Sequence, residues 1–451
     1  MLDISTHDRE SQLHQAIAAG QPDRVWASLQ DASEKDLTEC LTALDPAEVA
    51  QLDRLLGDER VAELVERLEP SDAAQILLRL SAADAADVLE EMAPDDATDV
   101  IEEFDLAEAQ AIFFEMDAEE AAELRELLGY PHDSAAGVMT PAFVGVAPGL
   151  HAEDAIQAIR QLAQVAETIY YVYVTDPEQR LLGVLSLRDL VLARPETPVR
   201  DLMNTQVATV QATADREEAA YVLTERGLLA LPVVDAAGRI LGIITADDVA
   251  EILERETTED IEKLGGSQPL DVPYLRASVL LIARKRIGWL LILFVGASYT
   301  GTVMRHFQDT LDTVITLGLF IPLLIGTGGN VGSQITTTLI RALAVGEVEL
   351  RDVVRVLRKE LSVAALIAGV MAITAFVRAW TLGVGWDVVQ VVTLTAVCIV
   401  LWAATISALV PLLLRRIGLD PAVVSSPMIT TIVDGTGLFI YFTVANWILG
   451  F

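Results

Sequence analysis

Ser425-Ser426-Pro427-Met428-Ile429-Thr430-Thr431-Ile432-Val433-Asp434-Gly435 lies in an apolar run, Val423 to Phe451, whose only charged side chain is Asp434. A carboxylate at the centre of a membrane span costs roughly 2.5–3.5 kcal/mol on insertion scales. Such a group faces a wet cavity or an ion path more often than lipid.

The 451 residues are 52% hydrophobic yet carry a net charge of −35. Neither an ordinary soluble protein nor an ordinary transporter has both properties, and dividing the chain separates them. Residues 1–270 hold 56 acidic and 18 basic side chains, and residues 271–451 hold 10 and 13. The acidic part repels nucleic acid and anionic headgroups and concentrates cations. Cys40 and Cys398 lie in different halves, so no disulfide framework or metal-thiolate spacing is available. The start, Met1-Leu2-Asp3-Ile4, lacks a signal-peptide pattern and is expected in the cytosol.

Residues 37–128 repeat with a period of 12. Leu68, Leu80, Met92, Phe104 and Met116 share one phase, and Asp72, Asp84, Asp96, Glu108 and Glu120 another. Pro70 and Pro94 also coincide. Each unit reads as a turn, a helix start with an acid in its first turn, and an apolar face. Helices this short are stable only when stacked, which predicts an all-α superhelical N domain over residues 1–130. The recurring acids are expected along one ridge, and each taken singly reads as a helix-start residue.

Beyond the linker Tyr130–Pro141 two similar units follow. Val172–Asp176 leads to Arg180–Leu190, and Pro232–Asp235 leads to Arg239–Val249. Each reads as strand, Asp-containing turn, strand and a Ser/Thr-x-x-Asp helix start, with helices expected before them at His151–Gln164 and Arg216–Arg226. The signature recurs at Gly183–Asp189 and Gly242–Asp248, and it resembles a tandem pair of CBS domains, here over 131–255. CBS domains are regulatory α+β modules that often bind adenine nucleotides. The resemblance implies ATP as a candidate cofactor, with Asp189 at a ribose, Arg188 at phosphate and Tyr171 at the base. The alternative for these residues is helix capping without a nucleotide.

Residues 250–275 read as an acidic connecting helix, its plug portion set at 256–275. Glu256, Glu259 and Asp260 share one face there, so they repel one another unless solvated or bridged by cations. Five apolar segments follow in 276–451: Ile287–Met304, Val314–Ala344, Leu361–Trp380, Val388–Leu414 and Val423–Gly450. Each can cross a bilayer, which needs roughly 20 residues, and the second is over-long. The second is expected to break or bend at Gly326-Thr327-Gly328-Gly329-Asn330. Ten flanking Lys/Arg residues fall on one side and only Arg305 and Arg378 on the other, which predicts a cytosolic N-terminus and an outer C-terminus.

Asn330 and Gln334 add polar ends to the glycine-rich second span, and with Asp434 they read as a pore lining. Here the chain resembles the MgtE family of bacterial magnesium channels and transporters, in domain order and in the motifs Gly328–Gln334 and Asp420-Pro421-Ala422 through Asp434-Gly435-Thr436-Gly437. The resemblance implies a multidomain homodimer in the cell (inner) membrane, its five-helix domain in contact with lipid and divalent cations. Its implied activity is Mg2+ uptake, with no enzymatic reaction. Its pore carboxylate maps to Asp434, with Asn330 and Thr430 nearby. Its cytosolic magnesium sensor maps to Asp248, Glu251, Glu256, Glu259, Asp260 and Asp420. Gly227-Leu228 departs from the acidic–aromatic pair of some relatives. A proton- or sodium-coupled divalent cation transporter is the alternative reading.

Overall fold

The computed structural model describes residues 6–163, 166–270, 272 and 274–450. The N-terminal expectation at Met1–Ile4 and the expected helix end at Gln164 lie outside the described residues. The chain divides into two compact units, Met1–Leu253 and Glu254–Phe451.

The first unit begins with ten helices: α1 Thr6–Ala18, α2 Pro22–Leu29, α3 Glu34–Ala43, α4 Pro46–Leu56, α5 Asp58–Val65, α6 Pro70–Leu77, α7 Ala82–Glu90, α8 Pro94–Glu102, α9 Leu106–Glu115 and α10 Ala118–Leu127. From α5 onward each helix starts 12 residues after the last, as the repeat predicts. None could persist alone, and each packs on the helix two further along: α5 on α7, α6 on α8, α7 on α9 and α8 on α10. Leu68, Met92, Phe104 and Met116 are buried in the shared seam, and Leu80 is half-buried. Two of the recurring acids, Asp84 and Glu108, close helix starts. Ser81 donates to Asp84 at 2.8 Å, and Asp105 and Glu108 form a reciprocal capping box. Glu66 caps at longer range, accepting from the Ala93 amide of α8 at 2.7 Å.

Two three-stranded sheets follow, each with one parallel and one antiparallel pairing. β1 Phe143–Val146, β2 Thr168–Thr175 and β3 Leu181–Ser186 form the first, and β4 Val210–Gln211, β5 Ala230–Val234 and β6 Ile240–Thr245 the second. Their helices are α11 Ala152–Leu162, α12 Leu187–Leu192, α13 Val199–Leu202 and α14 Arg216–Arg226. The signature glycines answer to crowding. A Cβ on Gly242 would stand 2.6 Å from the Thr140 carbonyl, and one on Gly183 would stand 3.0 Å from that of Asn204. Thr140 and Asn204 bridge to β6 and β3 at those places. Gly227 ends α14 with a left-handed φ of 60°, a conformation that costs glycine little.

α15, Ala246–Leu264, starts four residues before the expected 250 and stops well short of 275. In the second unit α16 Val279–His306 and α17 Gln308–Thr313 precede α18 Ile321–Ala344, α19 Val353–Thr381, α20 Trp386–Arg416 and α21 Ser426–Leu449. The expected break in the second span is absent. α18 runs unbroken through Gly326–Asn330, and the irregular stretch is a 3-10 turn at Ile315–Phe320, ahead of Pro322. Packing explains this, because the glycines meet other helices rather than open space (below). Among the described residues four helices, not five, are long and apolar enough to cross a membrane: Ile315–Ala344, Leu350–Thr381, Trp386–Arg416 and Ser426–Leu449. α16, with 28 residues, is not among them; it packs on α21 and leaves most of its surface exposed.

Candidate functional site

α21 opens with Ser425 as its N-cap, accepting from the Met428 amide, and Pro427 in its first turn. At 1.5 Å per residue, Asp434 stands about 12 Å along the helix. Three glycines of α18 let it approach. A Cβ on Gly328 would meet Ile399 at 2.5 Å and Val433 at 2.8 Å, and one on Gly332 would meet Ile429 at 2.8 Å. A Cβ on Gly329 would meet Thr430 at 2.9 Å and lie 3.6 Å from Asp434 Oδ1. The α18 residue against the carboxylate is therefore Gly329. Asn330, expected as the neighbour, is exposed on a stripe with Gly326 and Gln334. Thr430 is tied to α18 through Ser333, hydroxyl to hydroxyl at 3.3 Å. On the other flank Gly435 lies under the Tyr299 ring, and the Trp402 indole donates to Thr436 Oγ1 at 2.8 Å. Asp434 is thus held by helix contacts on both sides. Among the described residues its carboxylate has no hydrogen-bond or ion-pair partner, and it is half-buried.

A second feature is a crowd of carboxylates in the first unit. Thr245 donates from its amide and hydroxyl to Asp248 at 2.9 and 2.6 Å, so this acid caps α15. Burial, and then the charges of Asp248 and Asp96, push the Asp95 carboxyl well above its ordinary range. Among the described residues no hydrogen-bond donor reaches the enclosed Asp95 Oδ1. Asp96 is pushed to about 8 by burial first and then by Glu66, Asp248 and Glu251. Asp248 rises too, chiefly through burial. Of the sequence-derived sensor residues, the structure thus brings Asp248 and Glu251 to Asp95 and Asp96, which sequence reasoning missed. A signal was available. The positions in phase with Asp95 are Ser71, Ala83, Ala107 and Glu119, so Asp95 departs from three of its four counterparts. An enclosed orphan oxygen among raised carboxylates suits an oxygen-seeking cation. No three such groups among the described residues stand together closely enough to hold a metal ion as they are.

The other sensor candidates belong to the second unit. Lys263, in the last turn of α15, places Nζ 2.5 Å from Glu259 Oε1 and 2.7 Å from Asp420 Oδ2. Burial works against the ammonium, but hydrogen bonds to Asp420 and Glu259 raise its pKa above the ordinary lysine range. Asp260 is pushed to about 6, by burial first and then by Asp420. Glu256 adds to that field.

Of the nucleotide candidates, Tyr171 pairs with Ser186 across β2 and β3, and Ser186 donates to Asp189 at 2.6 Å. Both therefore stand at one end of the first sheet, with Arg188 exposed beside them. Ser186 is the N-cap of α12, accepting from the Asp189 amide at 3.1 Å. A cavity of about 530 Å³ lies elsewhere, between Phe143–Gly149, Thr175–Gln179 and Ile240.

Comparison with known proteins matches each part. The profile of the MgtE intracellular N domain matches residues 32–133, CBS domain profiles match 135–196 and 199–255, and the MgtE divalent cation transporter profile matches 321–444. The chain is 42% identical over 332 residues to the magnesium transporter MgtE of Thermus thermophilus, covering 73% of each chain. It is 34% identical over 325 residues to the Bacillus subtilis magnesium transporter MgtE, covering 71% of this chain and 70% of that one. A crystal structure of the soluble part of a magnesium transporter aligns with a TM-score of 0.51 at 29% identity, over 56% of this chain and 99% of that one. By these similarities and by its own domain order, the chain belongs to the MgtE family of divalent cation transporters.

Proposed function

We propose that this protein carries Mg2+ into the cell as a channel, with Asp434 as the pore carboxylate and cytosolic Mg2+ as the closing signal. The observation that carries the reading is the unpartnered Asp434, set in an apolar helix and held against the Gly328-Gly329 face of α18. Around it the exposed α18 stripe offers Gly326, Asn330 and Gln334, polar or small groups left exposed among the described residues. Such a stripe on a membrane helix suits a water-filled path or a second copy of the chain. A homodimer in the cell inner membrane would satisfy both, with two copies of Asp434 facing one pore. Counting α16, through its uncharged stretch Ile287–Met304, as a span ahead of the four long apolar helices gives five, which puts the N-terminus in the cytosol and the C-terminus outside, in accord with the positive-inside count.

Mg2+ dehydrates reluctantly and keeps several waters, so two carboxylates suffice to attract it without trapping it, while Asn330 and Thr430 hydrogen-bond its waters. Asp95, Asp96, Asp248 and Glu251 would hold the sensing ion in the first unit, and Glu256, Glu259, Asp260 and Asp420 in the second. Neutralising these crowded acids favours the compact, closed state by the differential affinity of the ion for it. The CBS pair is a candidate ATP site through Tyr171, Arg188 and Asp189.

The test is Mg2+ flux into proteoliposomes holding the full chain, at several Mg2+ concentrations on the cytosolic face. Flux that follows the Mg2+ electrochemical gradient, falls as cytosolic Mg2+ rises and vanishes in Asp434→Ala supports the proposal. Flux that requires a proton or sodium gradient would show coupled transport instead. Competing Mn2+, Co2+ and Ni2+ in the same assay define selectivity.

A further inference from the structure

The end of α15 carries its own cation. Lys263 Nζ contacts Glu259 Oε1 at 2.5 Å and Asp420 Oδ2 at 2.7 Å. Asp420 Oδ1 already accepts from the Ala422 amide at 2.8 Å, so each oxygen of this carboxylate has a donor. Asp260 lies in the field of Asp420 and Lys263, and Glu256 acts on Asp260 in turn.

Mg2+ takes carboxylate oxygens at about 2.0–2.1 Å in near-octahedral geometry. An ammonium left on the same oxygen would then stand within about 5 Å of the ion, two positive centres sharing one lone-pair donor. A displaced ammonium stays within reach of these acids, because Lys263 is the fourth residue after Glu259 on the same helix. We propose that Lys263 is a tethered competitor: its ammonium holds Glu259 and Asp420, a divalent cation must displace it to bind there, and the exchange sets the cytosolic Mg2+ concentration at which the protein responds. This rests on the reading that these acids sense Mg2+. Exchange replaces one positive charge by two. The site therefore answers to the difference between two cations, and its threshold lies above that of a bare carboxylate cluster.

Full-length protein in detergent, digested with chymotrypsin at increasing Mg2+, gives the half-protecting concentration. Lys263→Gln removes the competitor and lowers that concentration about tenfold, whereas Lys263→Arg, which keeps the charge, leaves it within about twofold. An unchanged or raised value in Lys263→Gln makes Lys263 a structural clamp and overturns the proposal. A measurement on the unsubstituted protein guards against a variant that fails to fold. A zero-length carbodiimide reagent couples an amine to a carboxylate in contact with it, and mass spectrometry locates the bond. The Lys263–Asp420 or Lys263–Glu259 bond is expected without Mg2+ and is lost with the same half-point as protection is gained. If protection saturates while coupling persists, the competition is wrong and the sensing reading stands. If Mg2+ gives no protection at all, the sensing reading fails and the competition falls with it.

Discussion

Asp434 is one carboxylate in a helix that otherwise has no charge, and its position makes two substitutions informative. Asp434→Ala is expected to cut Mg2+ uptake at least tenfold in a transport-deficient bacterial strain, with normal expression confirmed by immunoblot. Asp434→Asn separates charge from shape, because the amide keeps the volume and the hydrogen-bonding reach; it should fail nearly as badly if the charge attracts the ion. Asp96 makes the complementary case in the first unit. Its carboxyl titrates near 8 in the folded chain against 3.8 when unperturbed, burial being the main cause. The folded state thus holds a proton that the unfolded state gives up. That contribution to stability is complete below about pH 4 and is lost as pH rises toward about 8. In Mg2+-free buffer the first unit should therefore melt at a lower temperature at pH 8 than at pH 5, in scanning calorimetry of the full chain. Asp96→Asn should flatten this slope, and added Mg2+ should raise the pH 8 melting temperature. A slope that persists in Asp96→Asn would assign it to other carboxylates.

At the scale of elements, the α18–α21 contact turns on glycine. Gly329→Ala would drive a methyl into Thr430, whose Cγ2 lies 2.9 Å from the ideal Cβ position, and would push α18 away from Asp434. Gly369, in α19, has nothing within 4 Å of its Cβ position and lies off the α18 stripe, so Gly369→Ala is the control. Uptake by Gly329→Ala should fall severalfold while Gly369→Ala transports normally; equal effects would show that the contact does not position the carboxylate. In the solenoid, helix starts are the sensitive points. Asp105→Ala removes the cap whose Oδ1 accepts from the Ala107 and Glu108 amides at 2.8 and 2.9 Å, and should cost about 1 kcal/mol, read as a lower melting temperature. Sequence reasoning found these helix starts because Pro, Ser and Asp act on their own local backbone. It misplaced the break in the second span for the opposite reason. A glycine run weakens a helix in isolation, but here Ile399, Val433, Thr430 and Ile429 fill the space beside it.

At the scale of the whole molecule, the sequence by itself determined the order of parts. The 12-residue period, the duplicated Gly-to-Asp signature and the long apolar segments each depend on neighbours a few residues apart, where spacing alone dictates secondary structure. The charge asymmetry between the two parts and the presence of one carboxylate in the last apolar run were equally legible. What only the tertiary structure decided is which distant groups meet. Asp95 stands near Asp248, Gly329 lies against Asp434, and Lys263 binds Asp420 across a long stretch of chain. None of these pairs has a sequence period, because contacts between remote segments follow from how whole elements pack. The candidate sensor acids therefore looked alike in the sequence. Folding distinguishes them physically, leaving Asp95 with an enclosed oxygen that has no donor among the described residues while handing Asp420 a lysine.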